Sequence, residues 1–311
     1  MPTPSSRRLA LITGASLALL AGCSSSSDSS SDTSGSHQAV ASSKVAVVAS
    51  TNVYGDITEQ IGGDKVSVTS IISDPDQDPH SYEANTQNQL ALSKAKVVIE
   101  NGGGYDDFVD RMLKSSNSSA EVVNAVKVSG KTAPKGGELN EHVWYDFPTV
   151  AKVTDSIAAA LGKADPGAAA TFTKNAEAFK AKLKPLEAKE AQIKKEHGGE
   201  GVAITEPVPL YMLDASGLVD KTPAAFSEAI EEGDDVSPKV LQATLALFSA
   251  KQVEALVYNA QTSGPQTEKS EAAAKAAGIP VVPVTETLPE GKDYLGWMNG
   301  NVDALAGALD K

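Results

Sequence analysis

Two series of short β-branched runs, each run followed by a helical stretch, constrain this chain more than any other feature. The first series reads KVAVVAS, VYGDITEQIGG, VSVTSII, SYEANTQNQLALSKA and VVIENGGG from Lys44 onward. The second begins at Gly201 with VAIT and passes through PKVLQATLALFSAKQ, VEALVYN, EKSEAAAKAAG and IPVVPVT to DYLGWMNGNVDALAGAL. Such alternation builds parallel sheets with helices on their faces. The expected architecture is therefore α/β, with two lobes of mostly parallel sheet at 44–164 and 198–311. The stretch between them, 165–197, is rich in Ala, Lys and Glu, and its apolar residues Phe172, Ala176, Phe179, Leu183 and Leu186 recur near the helical period. Asp165-Pro166 reads as its N-cap and first-turn proline, and His197-Gly198-Gly199 as its end. Pro185 is expected to kink or divide it. A helix of this length, roughly 40 Å, would join the lobes as a rigid strut.

What precedes the first lobe reads as processing signal and tether. Arg7 and Arg8 lead into an apolar run from Leu9 to Ala21, too short to span a bilayer and shaped like a secretory signal, and the run ends in Leu20-Ala21-Gly22-Cys23. That ending looks like a bacterial lipobox, which predicts cleavage after Gly22 and acylation of Cys23, anchoring the chain to the bilayer. Residues 24–43 are almost all Ser, Asp, Gly and Ala, too polar to order themselves. The whole chain carries a net charge of -13, and losing Arg7 and Arg8 leaves 25 bases against 40 acids, or -15. With no basic block and few aromatics, no nucleic-acid partner is expected. The single cysteine excludes an internal disulfide framework.

In α/β sheets the ligand crevice lies beyond the carboxyl ends of the strands. After VSVTSII, the proline-stiffened turn Ser73-Asp-Pro-Asp-Gln-Asp-Pro-His80-Ser-Tyr82-Glu83 presents His80 at the start of a helix. His142 lies in Glu141-His142-Val-Trp144-Tyr145-Asp146, just before a helix expected to start near Phe147; Trp144 and Tyr145 read as packing residues. His37 in the tether and His197 in the Gly-Gly turn read as solvated. In the second lobe, VAIT ends in Glu206 and VVPVT in Glu286. Each glutamate could simply be a helix-start acid stabilised by the macrodipole. Taken together, His80, His142, Glu206 and Glu286 are two imidazoles and two carboxylates, a mix that binds a divalent transition ion and neutralises its charge. Their separations of 62, 64 and 80 residues mean that the site would form only where the two lobes meet.

The lipobox, DPHSYE, HVWYD, AITEPVPLYMLDASGL, the long middle helix and the tail VVPVTETL…DYLGWMNGNVDAL resemble the cluster 9 family of solute-binding proteins of zinc and manganese ABC importers. The resemblance covers nearly all of the chain after the tether. It implies two lobes joined by a rigid backbone helix, with one divalent metal, Zn2+ or Mn2+, held in the interlobe cleft as cargo. His80 and His142 match the family's first two histidine ligands. Glu206 falls where zinc-type members usually have histidine and manganese-type members glutamate, and Glu286 where the family usually has aspartate. Asn140-Glu141 stands where the second motif commonly reads Asp-Pro. The implied function is a lipid-anchored, extracytoplasmic, non-enzymatic receptor, monomeric, that delivers metal to a membrane permease. A secreted metallohydrolase and a surface adhesin without a transport role are the alternatives; against the first stands the absence of H-E-x-x-H and of a Gly-x-Ser-x-Gly elbow.

Overall fold

The central strands of this protein carry apolar side chains on both faces, and in the computed structural model they lie inside two parallel sheets. The structure describes residues 44–74, 77, 82, 83, 85–135 and 137–311, all within one unit spanning 42–311. The first sheet is built from β1 (Val45–Thr51), β2 (Val66–Ile72), β3 (Val97–Glu100) and β4 (Glu121–Asn124), in the order β2-β1-β3-β4. Its helices are α1 (Asn52–Gly62), α2 (Thr86–Lys94), α3 (Asp107–Ser116) and α4 (Ala125–Ser129). Two long helices follow, α5 (Phe147–Ala164) and α6 (Ala169–His197). The second sheet contains β5 (Gly201–Ile204), β6 (Val219–Asp220), β7 (Ala255–Asn259) and β8 (Val281–Val284), in the order β6-β5-β7-β8. It is accompanied by α7 (Leu210–Ala215), α8 (Ala224–Glu231), α9 (Pro238–Ser249), α10 (Pro265–Ala276) and α11 (Tyr294–Leu309). All pairings are parallel.

Each sheet reverses its winding once, between β1 and β3 in the first and between β5 and β7 in the second. A crevice opens at the carboxyl edge of such a point. The two sheets and the helices α1, α5, α6 and α11 share one apolar core, which runs from Tyr54 and Trp144 through Phe172, Phe179 and Leu183 to Tyr294 and Trp297. Smaller clusters lie around Phe108 and around Phe248. The lobes are thus joined by continuous packing as well as by a helix.

The linking segment differs from its sequence reading in two ways. Asp165-Pro166 does not open a helix: Asp165 closes α5, and its carboxylate accepts the Gly167 N–H in the turn before α6. Pro185 does not divide α6, which runs unbroken for 29 residues, roughly 44 Å. Pro185 is on the exposed side, so the carbonyl that it leaves without a helical partner, that of Ala181, can turn to water, while Leu183 and Leu186 hold the buried face. α5 does begin at Phe147, with the Asp146 carboxylate accepting the Thr149 N–H. The edge strands β4 and β6 and the helix α8 escape a periodicity reading, since β4 is largely solvent-facing and β6 has only two residues. Among the described residues no helix is long and apolar enough to cross a membrane.

Candidate functional site

The second sheet delivers its two glutamates from strand ends on either side of β7. Glu206 follows β5, Glu286 follows β8, and Asn259 ends β7 between them. Neither glutamate starts a helix, because α7 begins at Leu210 and α11 at Tyr294. Both are buried, at 1% exposure. The Asn259 amide nitrogen donates to Glu206 Oε2 and to Glu286 Oε1, the latter at 2.9 Å, so a single side chain sets the two carboxylates side by side. Gln261 adds a second brace. Its Oε1 accepts the Glu286 N–H at 2.5 Å and the Thr287 N–H at 3.1 Å. Burial, together with the charges of Glu286 and Glu231, raises the Glu206 pKa to about 8, against opposing hydrogen bonds from Thr262 and Asn259. Glu206 Oε1 is buried and has no hydrogen-bond partner among the described residues.

His142 reaches the same place from the first lobe. It lies in the loop between α4 and α5, just before the helix that begins at Phe147. Its ring is buried between Trp144 and Tyr105, with ring centroids 5.1 and 5.9 Å away. Trp144 and Tyr145 are packing residues as expected, and the Tyr145 hydroxyl also donates to the Thr285 carbonyl at 2.7 Å. Asn140 fixes the imidazole. Its Nδ2 donates to the Pro207 carbonyl at 3.1 Å, which settles the orientation of the amide. Its Oδ1 therefore faces His142, accepting the backbone N–H at 3.1 Å and lying 2.8 Å from Nδ1. An amide oxygen can only accept, so Nδ1 carries a proton, and Nε2 is the ring nitrogen turned toward the second lobe.

Around Nε2 stand carboxylates from the second lobe. Glu286 Oε2 is 3.9 Å away, and Glu231 Oε1, at the end of α8, is 3.2 Å away. Glu141, His142 and Glu231 offer donor atoms that all lie within 4.8 Å of one another. The segment bearing His142 is held from below by the turn after β3. There the Asn101 amide donates to the Glu141 carbonyl at 3.0 Å, and the Tyr54 hydroxyl donates to Asn101 Oδ1 at 2.5 Å. Gly102 in that turn has φ +75°, and a Cβ there would lie 2.2 Å from Asn124 Nδ2, so only glycine fits.

Of the four expected ligands, the structure thus gathers His142, Glu206 and Glu286. His80 lies outside the described residues, as do Cys23 and His37. His197 is not simply solvated: its ring lies 3.2 Å from both Glu200 Oε2 and Asp310 Oδ1, tying the end of α6 to the end of α11. The sequence reading missed Glu231 and Asn259. Asn259 stands at a strand end, where the crevice rule points. Glu231 belongs to the acidic run Glu231-Glu232-Gly233-Asp234-Asp235 at a helix carboxyl terminus, where the macrodipole disfavours acids.

Residues 47–308 match the family described as zinc-uptake complex component A, periplasmic. The chain belongs to that family. Two relatives of this family member match along nearly their whole length. The manganese ABC transporter substrate-binding lipoprotein scaA of Streptococcus gordonii is 28% identical over 313 residues, covering 94% of this chain and 95% of that protein. The iron ABC transporter substrate-binding lipoprotein MtsA of Streptococcus pyogenes serotype M1 is 26% identical over 328 residues, covering 98% and 99%. Among solved structures, the periplasmic zinc binding protein TroA from Treponema pallidum shares the fold, with a TM-score of 0.73 at 20% identity over 86% of this chain and 99% of that one.

Proposed function

We propose that this chain is the extracytoplasmic substrate-binding component of a metal ABC importer, capturing a divalent transition ion, manganese or zinc, and delivering it to a membrane permease. The observation that carries this reading is the buried meeting of imidazole and carboxylate across the lobes, with His142 Nε2 aimed at Glu286 and Glu231. His80, His142, Glu206 and Glu286 are the proposed ligands. The long reach of the sequence match to transporter components supports the same role. The protein is not an enzyme. Capture requires a shell closed to water, because an open coordination position would make the ion a Lewis acid. Acylated Cys23 would hold the monomer at the bilayer, with 24–43 as tether, 44–164 and 198–311 as lobes and 165–197 as link.

Titrating the metal-stripped full chain in detergent with Mn2+ and Zn2+ tests the function. One ion bound per chain, with no hydrolysis of peptide or ester substrates, is expected; absence of binding would overturn the reading. Cys23→Ser should release the protein from membranes with its metal binding intact, and retention after a carbonate wash would exclude the anchor.

A further inference from the structure

The segment from Thr285 to Tyr294, which carries Glu286, is gripped from the first lobe at three places. We infer that Asn52 is a positioning residue for Glu286: its side-chain amide clips the backbone just beyond the glutamate to the first lobe, so that the geometry offered to the ion depends on a tie between the lobes. This rests on the proposed reading of Glu286 as a metal ligand and deepens it.

The clip starts from a fixed base. Asn52 is the first residue of α1, directly after β1, at the carboxyl edge where the first sheet reverses its winding. Val53, Tyr54, Ile57 and Ile61 bury the inner face of α1 in the core shared by both lobes, so the helix cannot shift without disturbing close packing. From there the Asn52 amide makes two bonds to one residue of the other lobe. Nδ2 donates to the Leu288 carbonyl at 2.9 Å, and Oδ1 accepts the Leu288 N–H at 2.9 Å. Leu288 lies between β8 and α11, outside strand and helix, so this amide pairs its backbone much as a neighbouring strand would. The pairing needs a donor and an acceptor side by side, which a carboxamide supplies.

The neighbouring contacts extend the grip to both sides of Glu286. Before it, the Tyr145 hydroxyl donates to the Thr285 carbonyl at 2.7 Å, and Asn301 Nδ2 donates to that hydroxyl at 3.2 Å. Glu286 therefore stands between two backbone positions that the first lobe holds, one residue before it and two after it. Beyond Leu288, Asp56 Oδ2 accepts the Tyr294 N–H at 2.8 Å, where α11 begins. Asn52 and Asp56 are four residues apart, so one face of α1 supplies both contacts.

Within its own lobe Glu286 is held by Asn259, which donates to Oε1, and by Gln261, which accepts its N–H. Those bonds fix the carboxylate relative to Glu206. They do not fix it relative to His142, which comes from the first lobe. The Asn52 clip does, because it ties the glutamate's own segment to the lobe that carries the imidazole. A ligand set serves a metal only when its members are held to within about 0.5 Å of the productive geometry, so releasing Leu288 should be felt in metal binding and not in stability alone.

The test uses the metal-stripped full chain in detergent, titrated with Mn2+ and Zn2+, loaded with Co2+ to read coordination geometry by visible absorption, and melted without metal. Asn52→Ala removes both bonds to Leu288. The control is Asn175→Ala, which removes one side-chain bond of the same length, from Asn175 Nδ2 on α6 to the Ile61 carbonyl at the far end of α1. Asn52→Ala should weaken binding of both ions roughly tenfold, the lower end of what a residue supporting a ligand contributes, and alter the Co2+ bands. Asn175→Ala should lower the melting temperature at most, with affinities and spectrum as in the parent. If Asn52→Ala melts earlier while both affinities and the Co2+ spectrum stay at parental values, Asn52 is a structural tie and the inference fails. It fails equally if Asn175→Ala weakens binding as much. Should Glu286→Ala bind both ions like the parent while His142→Ala does not, Glu286 is no ligand: the inference falls with that assignment, and the receptor reading stands. A parent chain that binds neither ion overturns both. Where Asn52→Ala fails to fold by circular dichroism, Asn52→Leu, which keeps the volume without either bond, is judged by the same affinities and spectrum.

Discussion

The two halves of the cleft use the same amino acid for opposite purposes. On the imidazole side, Asn140 works through its oxygen, which accepts from His142 and so chooses the tautomer. On the carboxylate side, Asn259 works through its nitrogen, which donates to Glu206 and Glu286 and holds two like charges together. The other end of each amide is anchored to backbone: Asn140 Nδ2 to the Pro207 carbonyl across the lobes, and Asn259 Oδ1 to the Gln261 N–H within its own loop. The difference teaches that the amide bracing the imidazole is itself tied across the lobes, while the amide bracing the carboxylates is tied within its own lobe. Movement of the lobes would therefore loosen the Asn140 brace before the Asn259 brace.

The sharpest way to break this symmetry is Asn259→Asp. It exchanges the shared donor for another acid, so three carboxylates face one another at the ends of β5, β7 and β8. A buried charge left uncompensated costs about 3–5 kcal/mol, and partial protonation will reduce that at low pH. Thermal unfolding of the metal-free variant should show a large loss of stability at pH 8.5 and a smaller one at pH 6. A loss of the same size at both values would mean that Asn259 supports packing rather than charge.

The imidazole side should prove more forgiving. Asn140→Ala leaves the buried Nδ1–H and the His142 N–H without their acceptor, costing about 1–3 kcal/mol of stability and, with the tautomer no longer set, roughly ten- to a hundredfold in metal affinity. Asn140→Asp retains an acceptor for Nδ1 and gives up only the donor to Pro207, so it should recover most of the affinity. Isothermal titration with Zn2+ separates the cases. If aspartate is as damaging as alanine, the contact to Pro207, and not the tautomer, is what Asn140 supplies.

The sequence made the lobes legible because β-branched runs and helical stretches alternate with little interruption, and it made His142, Glu206 and Glu286 legible because each breaks an apolar context. It hid features whose cause is tertiary. Pro185 reads as a helix breaker, yet α6 tolerates it because that residue faces water while Phe179, Leu183 and Leu186 face the core. Asp165-Pro166 carries a helix-start signature and is used as the turn between two helices. Glu231 stands in an acidic run, Glu231-Glu232-Gly233-Asp234-Asp235, in which nothing local tells which of Glu231 and Glu232 will face inward. The protonation of Glu206 was hidden too: a free glutamate titrates at about 4.3, whereas burial lifts Glu206 to about 8. Metal binding should thus go on strengthening as pH rises through that value.

The smallest expected effect compares the cleft with the strut behind it. Glu190 sits on the buried stripe of α6, at 4% exposure, and burial, with repulsion from Asp146 and Glu187, raises its pKa to about 8. An acid whose folded pKa lies above its unfolded value near 4.5 holds its proton in the native state across the interval between them. Its contribution is complete below the unfolded pKa and is lost as pH rises through about 8. Glu206 contributes with the same sign, so the metal-free protein should lose stability from about pH 5 to pH 8.5 through both groups. Metal distinguishes them: an ion displaces the proton of Glu206 and cannot reach one on a helix outside the cleft. Glu190→Gln should leave Zn2+ and Mn2+ affinity unchanged and flatten part of the stability curve, and saturating metal should flatten the remainder. Melting curves of the parent and Glu190→Gln at several pH values, with and without metal, give the comparison. If metal alone removes the whole slope in the parent, Glu190 carries no proton in the native state, and its burial must be met by a partner that leaves it ionised.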